Sequence, residues 1–353
     1  MTEAEVFAYE LLDQGVRIWR CFSYDKQVEF PGELEGRPVT ELAAYVCSAH
    51  LESGWEERLR KTDRLRYGTR EGQVYKGQPP LDLLGMEVCG SRVEAVSLPK
   101  KLEKIGKYAF YNCHKLERVS FSSGIQDLGA GLFTGCHHVR ELDVEVVRDW
   151  PSCLRQVLTE LTEELRVNYR EPGGYARLLF PEFYEEGVEN TPARILMTQV
   201  HGSGLHFRNC FLETQFQFPW YDERFFWARS QETAAFALEL ALSRLLYPLG
   251  LEEKSREAYE AYVKEHFLEA GTFFLEEGQK IRSPYFQERY HSGGGLDYFS
   301  WLLDNKAFGQ VITPELLREL IGQAQKKQRP EIVSYLMDRR HQMFPQKGRS
   351  FAL

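Results

Sequence analysis

A repeat of 23 residues is the feature that most constrains the fold of this chain. The stretch LPKKLEKIGKYAFYNCHKLERVSF, which starts at Leu98, aligns without gaps with FSSGIQDLGAGLFTGCHHVRELDV, which starts at Phe121. One unit of this length cannot bury its own apolar face, so neighbouring copies must stack on each other. The matched positions include Ile105 with Leu128, Gly106 with Gly129, Phe110 with Phe133, Cys113 with Cys136, and Val119 with Leu142.

The last residues of each copy predict a short strand with two different sides. Val119 and Phe121 are two residues apart and so point to one side of a strand, whereas Arg118 and Ser120 point to the other. If neighbouring copies stack in parallel and in register, their outward residues share one face of a sheet. We interpret this face as the candidate ligand-binding surface, and the alternative is a solvated face without a ligand. Its predicted members are Ala95, Ser97, Arg118, Ser120, Glu141 and Asp143.

Two other repeated positions indicate packing rather than chemistry. Gly106 and Gly129 each follow an apolar residue, and we interpret them as turn residues. Cys113 and Cys136 are compatible with a metal or redox site. Each, however, occupies the same position of the repeat, three residues after a phenylalanine that is predicted to be buried. A free cysteine packs well between stacked coils, which favours a structural role. The sequence therefore predicts no catalytic residues, no bound metal and no cofactor.

A more diverged copy of the repeat lies upstream, and a long insertion follows it. The insertion, residues 51–90, separates this copy from the strand predicted near Val93. The diverged copy is marked by Phe30-Pro31, Val39, Leu42 and Tyr45.

These residues resemble a known family. The pattern of Leu98-Pro99, Ile105-Gly106, Ala109-Phe110, Cys113 and Leu116 closely resembles the BspA-type leucine-rich repeat, which is widespread in bacteria. The stretch VRIWRCFSYDKQVEFPGELEGRPVTEL is similar to the capping strands and first repeat of that family. The resemblance implies a right-handed solenoid with one short strand per repeat in a parallel sheet. It also implies binding or adhesion rather than enzymatic activity.

Residues 151–220, in the middle of the chain, are predicted to cap the end of the repeats. Residues 151–161 have helical spacing of their apolar side chains. The alternating stretches around Val167 and Tyr175 flank Pro172-Gly173-Gly174, which predicts a hairpin. Thr191-Pro192 predicts the start of a helix.

The last third has the period of α-helices. Thr313 and Pro314 predict the start of one helix and Pro330 the start of another. The predicted fold class is therefore α/β: a short leucine-rich-repeat solenoid with a parallel sheet, plus an all-α C-terminal domain that is solenoid-like or a bundle. The predicted domains are 1–150 for the repeats with their insertion, 151–220 for a mixed capping or linking segment, 221–345 for the helical domain and 346–353 for a flexible tail.

Composition excludes several classes of function. The formal charge of −8 and the pI of about 5.7 make general nucleic-acid binding a poor fit. No run of about 18 apolar residues is present, so we predict no membrane span. Seven cysteines without a Cys-x-x-Cys pair and an acidic first segment without a secretory signal predict a reducing, cytoplasmic location.

The favoured function is a non-enzymatic protein–protein interaction or scaffold protein, whose partner the sequence leaves unidentified. One alternative is an enzyme with a site near residues 201–210, where His201, His206 and Cys210 flank Gly202-Ser203-Gly204. The other alternative is a nucleic-acid-linked regulator that acts through residues 58–70. The basic side chains there are Arg58, Arg60, Lys61, Arg64, Arg66 and Arg70.

Overall fold

A computed structural model of the chain describes residues 5–50, 54–75, 77–190, 195–276 and 295–345. The fold is mixed α/β and divides into two compact units, Met1–Glu232 and Thr233–Leu353. The strands lie in the first unit, and the described elements of the second unit are helical. The predicted flexible tail, 346–353, lies outside the described residues.

The strands of the first unit fall mainly into two sheets. The first sheet has the order β11-β9-β5-β2-β1-β6-β7, and β4 pairs with β5. The second has the order β14-β13-β12-β10-β8-β3. The strands are β1 Val6–Leu11, β2 Val16–Phe22, β3 Gln27–Glu29, β4 Glu33–Leu34, β5 Arg37–Leu42, β6 Leu65–Thr69, β7 Val74–Tyr75, β8 Ala95–Ser97, β9 Lys104–Ile105, β10 Arg118–Ser122, β11 Asp127–Leu128, β12 Glu141–Glu145, β13 Leu165–Glu171, β14 Gly174–Phe180, β15 Tyr184–Asn190, β16 Ile195–His201, β17 Phe211–Leu212 and β18 Gln215–Phe216.

The helices of the two units differ in length. Those of the first unit are short, whereas several in the second run for 13 or 14 residues. In the first unit they are α1 Trp55–Lys61, α2 Leu154–Glu160, α3 Gly204–Arg208, α4 Phe218–Glu223 and α5 Phe225–Gln231. In the second they are α6 Ala234–Leu246, α7 Glu253–Glu265, α8 Phe267–Glu276, α9 Leu296–Asp304, α10 Pro314–Lys326 and α11 Pro330–Met343.

Each copy of the repeat supplies two strands, one to each sheet. In the second sheet β8, β10 and β12 pair in parallel, and Val119 lies beside Val96 on one side and Leu142 on the other. In the first sheet β9 and β11 pair in parallel, with Leu128 beside Ile105. The expectation of one strand per repeat is therefore wrong, because the backbone forms a second, two-residue ladder as it returns through each coil.

The diverged upstream copy stacks on the others as predicted. Val28 of β3 pairs with Val96 of β8, and Leu42 of β5 pairs with Ile105 of β9, both in parallel. The insertion between these copies extends the first sheet beyond β1, because β6 pairs with β1 in antiparallel fashion. Its helix α1 packs on the sheet through Trp55, whose ring stacks on Trp19 at 5.5 Å.

The repeated glycines have a different role from the one predicted. Gly106 and Gly129 lack the positive φ of a turn glycine. A Cβ on Gly106 would lie 2.2 Å from the Ala44 nitrogen, and one on Gly129 would lie 2.2 Å from the Lys107 nitrogen. The interpretation as turn residues is therefore wrong: glycine is required here because successive coils approach each other at backbone distance.

The repeated phenylalanines and cysteines fill the space between coils. The rings of Phe110 and Phe133 stack with centroids 5.3 Å apart. The Cys113 thiol donates to the Cys47 carbonyl at 3.2 Å, and the Cys136 thiol donates to the Phe110 carbonyl at 3.0 Å. A hydrogen bond with Cys136 and burial both raise the pKa of the Cys113 thiol. Both repeated cysteines are buried, which confirms their predicted packing role.

The segment after the repeats continues their sheet. The predicted hairpin is present as β13 and β14, and β13 pairs in parallel with β12, with Tyr169 beside Val144. The apolar residues of the predicted helix appear in α2. The helix predicted after Thr191-Pro192 is wrong, because Ile195–His201 forms strand β16; the Thr-Pro pair itself lies outside the described residues.

The two helices predicted to start near Thr313-Pro314 and at Pro330 are present in the second unit as α10 and α11. Thr313 caps α10 by accepting a hydrogen bond from the Leu316 backbone nitrogen at 3.2 Å. Helix α10 packs against both α11 and α8. Close approach to α8 occurs at Gly271, where a Cβ would lie 2.4 Å from Leu320. Among the described residues, no helix is both long and apolar enough to cross a lipid bilayer.

Candidate functional site

The predicted surface residues lie together on one face of the second sheet. Ala95, Arg118 and Glu141 occupy one row across the parallel strands, and Ser97, Ser120 and Asp143 occupy the next. Between these two rows, the side chains of Val96, Val119 and Leu142 point to the opposite face of the sheet and are buried. The six candidates therefore share one side of the sheet, as the period-2 pattern of the repeats predicts.

These six residues line one open groove with a volume of about 1160 Å³. Side chains from outside the repeats form its walls. Tyr24 and Asp25 come from the loop between β2 and β3, and Arg70 and Glu71 come from the turn between β6 and β7. The insertion therefore supplies part of the groove, which the repeat pattern alone did not indicate.

Arg118 and Glu141 form the central ion pair of the groove. The Arg118 guanidinium donates to Glu141 through Nη2 and, at 3.1 Å, through Nε. The Nε also lies 3.9 Å from an oxygen of Asp143. Ser120 donates its hydroxyl hydrogen to the same carboxylate at 3.1 Å. Matched rows of the repeat thus bring complementary side chains into contact across the strands.

Asn168 and Arg177 of the hairpin join this network. The Asn168 amide donates to Glu141 at 2.8 Å and to Asp143 at 2.7 Å. Arg177 is buried and donates to the Asn168 side-chain oxygen at 2.6 Å. Neither residue follows from the repeat pattern, because β13 pairs with β12 at an offset that departs from 23 residues. Their signal was the alternation of the predicted hairpin, which placed polar side chains beside the last repeat.

The network fixes the charge of Glu141. Burial by itself raises the pKa of this carboxyl group, because the charged form loses hydration. Hydrogen bonds from Asn168 and Arg118 and the charges of Arg118 and Arg177 act in the opposite direction and outweigh burial. The pKa of Glu141 therefore lies below its usual range, and the side chain is a carboxylate at neutral pH.

A second ion-pair cluster lies at the other end of the groove. Arg70 lies 3.1 Å from Glu5 and 3.1 Å from Glu29, and it also donates to the Glu29 carbonyl at 2.7 Å. Arg70 belongs to the predicted basic cluster, yet it serves here to hold the insertion against the edge of the sheet.

The electrostatic balance of the groove is acidic. Among its described lining residues, eight are acidic and three are basic. The arginines Arg70 and Arg118 are already engaged by carboxylates of the groove itself. The lining carboxylates are those of Glu5, Asp25, Glu29, Glu71, Glu94, Glu117, Glu141 and Asp143.

The alternative site at residues 201–210 does not converge into one cleft. The His201 ring stacks on Tyr184 at 4.6 Å, whereas the His206 ring stacks on Trp227 at 4.8 Å. Cys210 is buried and its thiol donates to the His206 carbonyl at 3.4 Å. The described part of the chain contains no group of three or more histidine, cysteine or acidic side chains arranged to hold a metal ion.

The two glycines of this segment have structural roles. Gly202 has a φ of +82°, as a turn requires, and a Cβ on Gly204 would lie 2.0 Å from the Pro181 carbonyl oxygen. The serine between them is buried, and its hydroxyl donates to Glu232 at 2.5 Å. The segment is thus built for a tight chain reversal.

The basic residues 58–70 do not form a uniform positive surface. Arg60 pairs with Glu56 at 3.3 Å, and Arg66 lies 3.7 Å from Glu35. The Arg58 guanidinium lies 5.8 Å from the centre of the Trp19 ring. Neighbouring carboxylates offset part of the positive charge that phosphate binding would need.

The part of the chain with the 23-residue register and the buried cysteines is similar to a known family. Residues 88–150 match the family model described as BspA type leucine-rich repeat region (6 copies). The matched leucine-rich repeat region contains β8 to β12 and all six candidate residues. No curated protein and no solved structure matches the chain.

Proposed function

We propose that this protein is a non-enzymatic interaction protein, which binds a protein partner in the groove on the outward face of its leucine-rich repeats. The observation that carries the proposal is the convergence of all six outward repeat residues on one groove. In this proposal the repeats form a short solenoid over residues 1–150, with residues 151–220 as its cap and residues 221–345 as a helical module.

The chemistry of the face supports recognition rather than catalysis. Its polar side chains bind one another: Arg118 with Glu141, Ser120 with Asp143, and Asn168 with both carboxylates. Such a network holds side chains in fixed positions, which lowers the entropy lost when a partner binds. Leucine-rich repeats of this family are typically non-enzymatic, which agrees with the proposal.

Affinity capture with full-length variants tests this function. Ser120→Arg places a long side chain on the floor of the groove, where the neighbouring Asp143 carboxylate accepts its charge. Ser334→Arg makes the same change at an exposed position of α11 and is the matched control. We expect recovery of a partner from cell extract to fall at least about tenfold for the first variant, as for a blocked interface centre.

Circular dichroism of both variants shows whether the fold is retained. Unchanged capture by a folded Ser120→Arg variant, with recovery equal to that of Ser334→Arg, would contradict binding through the groove.

A further inference from the structure

The groove differs from an ordinary solvated sheet face in its floor and in its charge. Ala95, Ser97 and Ser120 have short side chains, so the floor leaves room above the backbone between the two ion-pair clusters. The acidic side chains around this floor outnumber the basic ones among the described lining residues. A shaped depression with a surplus of one charge focuses the electric field on whatever occupies it.

The carboxylates at the rim are not all neutralised. Lys26 pairs with Glu94 at 2.7 Å, and Arg70 pairs with Glu5 and Glu29. By contrast, Glu71 and Glu117 are exposed and make no ion pair with any described residue. Two carboxylates of the groove lining are therefore available to a cation from outside.

The groove already shows which cations its carboxylates accept. Arg118 reaches across from one strand to Glu141 on the next and binds it through two nitrogens. Arg70 reaches in from the insertion and binds two carboxylates of the rim. Both are charge-assisted contacts between a guanidinium group and carboxylates of the groove: Arg118 binds one oxygen of Glu141, and Arg70 binds one oxygen each of Glu5 and Glu29.

The length of the groove floor sets how many residues of an extended segment it accommodates. Four strands, from β3 to β12, cross the groove, and the usual spacing of about 4.8 Å between strands gives a length of about 14 Å. An extended peptide advances by about 3.3 Å per residue, so roughly four to five residues cover the floor. A segment of that length has room for two or three side chains that point towards the groove.

From the free carboxylates, the small floor and the length, we infer that the occupant of the groove is an extended segment of a partner protein that carries two or more lysine or arginine side chains. This inference rests on the proposed interaction function and specifies its partner. The cationic side chains bind Glu71 and Glu117, while the segment backbone lies over Ser97 and Ser120.

Fluorescence anisotropy with the full chain and three labelled octapeptides tests the inference. The peptides alternate serine with lysine, glutamine or glutamate. We expect the lysine peptide to bind at least about tenfold more tightly than the other two, with affinity that falls as salt is added.

Paired substitutions locate the binding. Glu71→Gln with Glu117→Gln removes two free carboxylates and should weaken the lysine peptide about tenfold, as expected for two partly exposed ion pairs. Glu257→Gln with Glu319→Gln removes the same charge from exposed helix positions and should leave affinity unchanged.

Three results overturn the inference. They are equal binding of the glutamine peptide, equal weakening by the two pairs of substitutions, and equal competition by spermidine, which would indicate a site for small cations. If Ser120→Arg also abolishes capture of a protein partner, the proposed function stands while the cationic segment is rejected. If capture is unaffected as well, both fail.

Discussion

Gly129→Ala is expected to loosen the repeat stack through a single added methyl group. The new Cβ would lie 2.2 Å from the Lys107 nitrogen and 2.5 Å from the Gly106 carbonyl carbon, whereas ordinary contact begins near 3.4 Å. Neither neighbour is a flexible side chain, so the two coils must move apart by about 1 Å. That movement breaks the hydrogen bond from the Gly129 nitrogen to the Ile105 carbonyl, now 2.8 Å long.

The cost follows from two contributions. Forcing extra volume into a packed interior costs about 1–3 kcal/mol. Leaving a buried backbone pair without its hydrogen bond costs about 1–3 kcal/mol more. A loss of about 3 kcal/mol in the free energy of opening is therefore expected, even if the coils relax partly.

Native-state hydrogen exchange measured by mass spectrometry reports this opening for peptides that contain β10 and β12. A loss of about 3 kcal/mol accelerates their exchange roughly a hundredfold. Gly32→Ala is the matched control in the same unit, because no atom lies within 4 Å of the Cβ it would add. Exchange that is equally slow in both variants would refute the requirement for glycine at the repeat contact.

Three further substitutions or treatments test other parts of the structure. Arg208→Met removes a buried guanidinium that donates to the Leu161, Pro181 and Glu163 carbonyls, so urea denaturation should show a loss of about 4 kcal/mol. The Cys113 thiol, buried and with a raised pKa, should resist iodoacetamide in the folded protein at pH 8 and react after unfolding, as peptide mass mapping will show. The folded-state pKa of Glu141 lies below its ordinary value of 4.5, so the stability that this carboxylate contributes is present above that pH and lost as pH falls through the folded pKa. In Glu141→Gln, the free energy of unfolding should therefore fall less steeply as the pH is lowered below 4.5, as urea denaturation at several pH values will show. An unchanged pH dependence would argue against the hydrogen-bond network around Glu141.

Much of the repeat architecture could be predicted because it depends on local spacing. The 23-residue offset gave the register in which Val119 lies between Val96 and Leu142. The two-residue alternation within each strand then separated the buried face from the outward face. Both properties come from the geometry of an extended chain and require no knowledge of distant contacts.

The glycines show where local spacing was insufficient. A glycine after an apolar residue is compatible with a turn and with close backbone contact, and the sequence pattern around Gly106 is the same in both cases. Only the position of Ala44, from a copy of the repeat that precedes the insertion, distinguishes the two roles. The second strand of each repeat was not predicted, because a strand of two residues such as Lys104–Ile105 is too short to show an alternation of apolar and polar side chains.

The candidate site was likewise determined at two levels. The repeat pattern was enough to predict that the six outward residues share one face, because register and alternation fix the side of a strand on which each residue lies. That this face is a groove with an acidic surplus follows from tertiary packing. Arg70 and Glu71 reach it from the insertion, and Asn168 reaches it from the hairpin, through strand pairings that join segments without any shared repeat. Such pairings depend on long-range packing, which leaves no periodic signal in the chain.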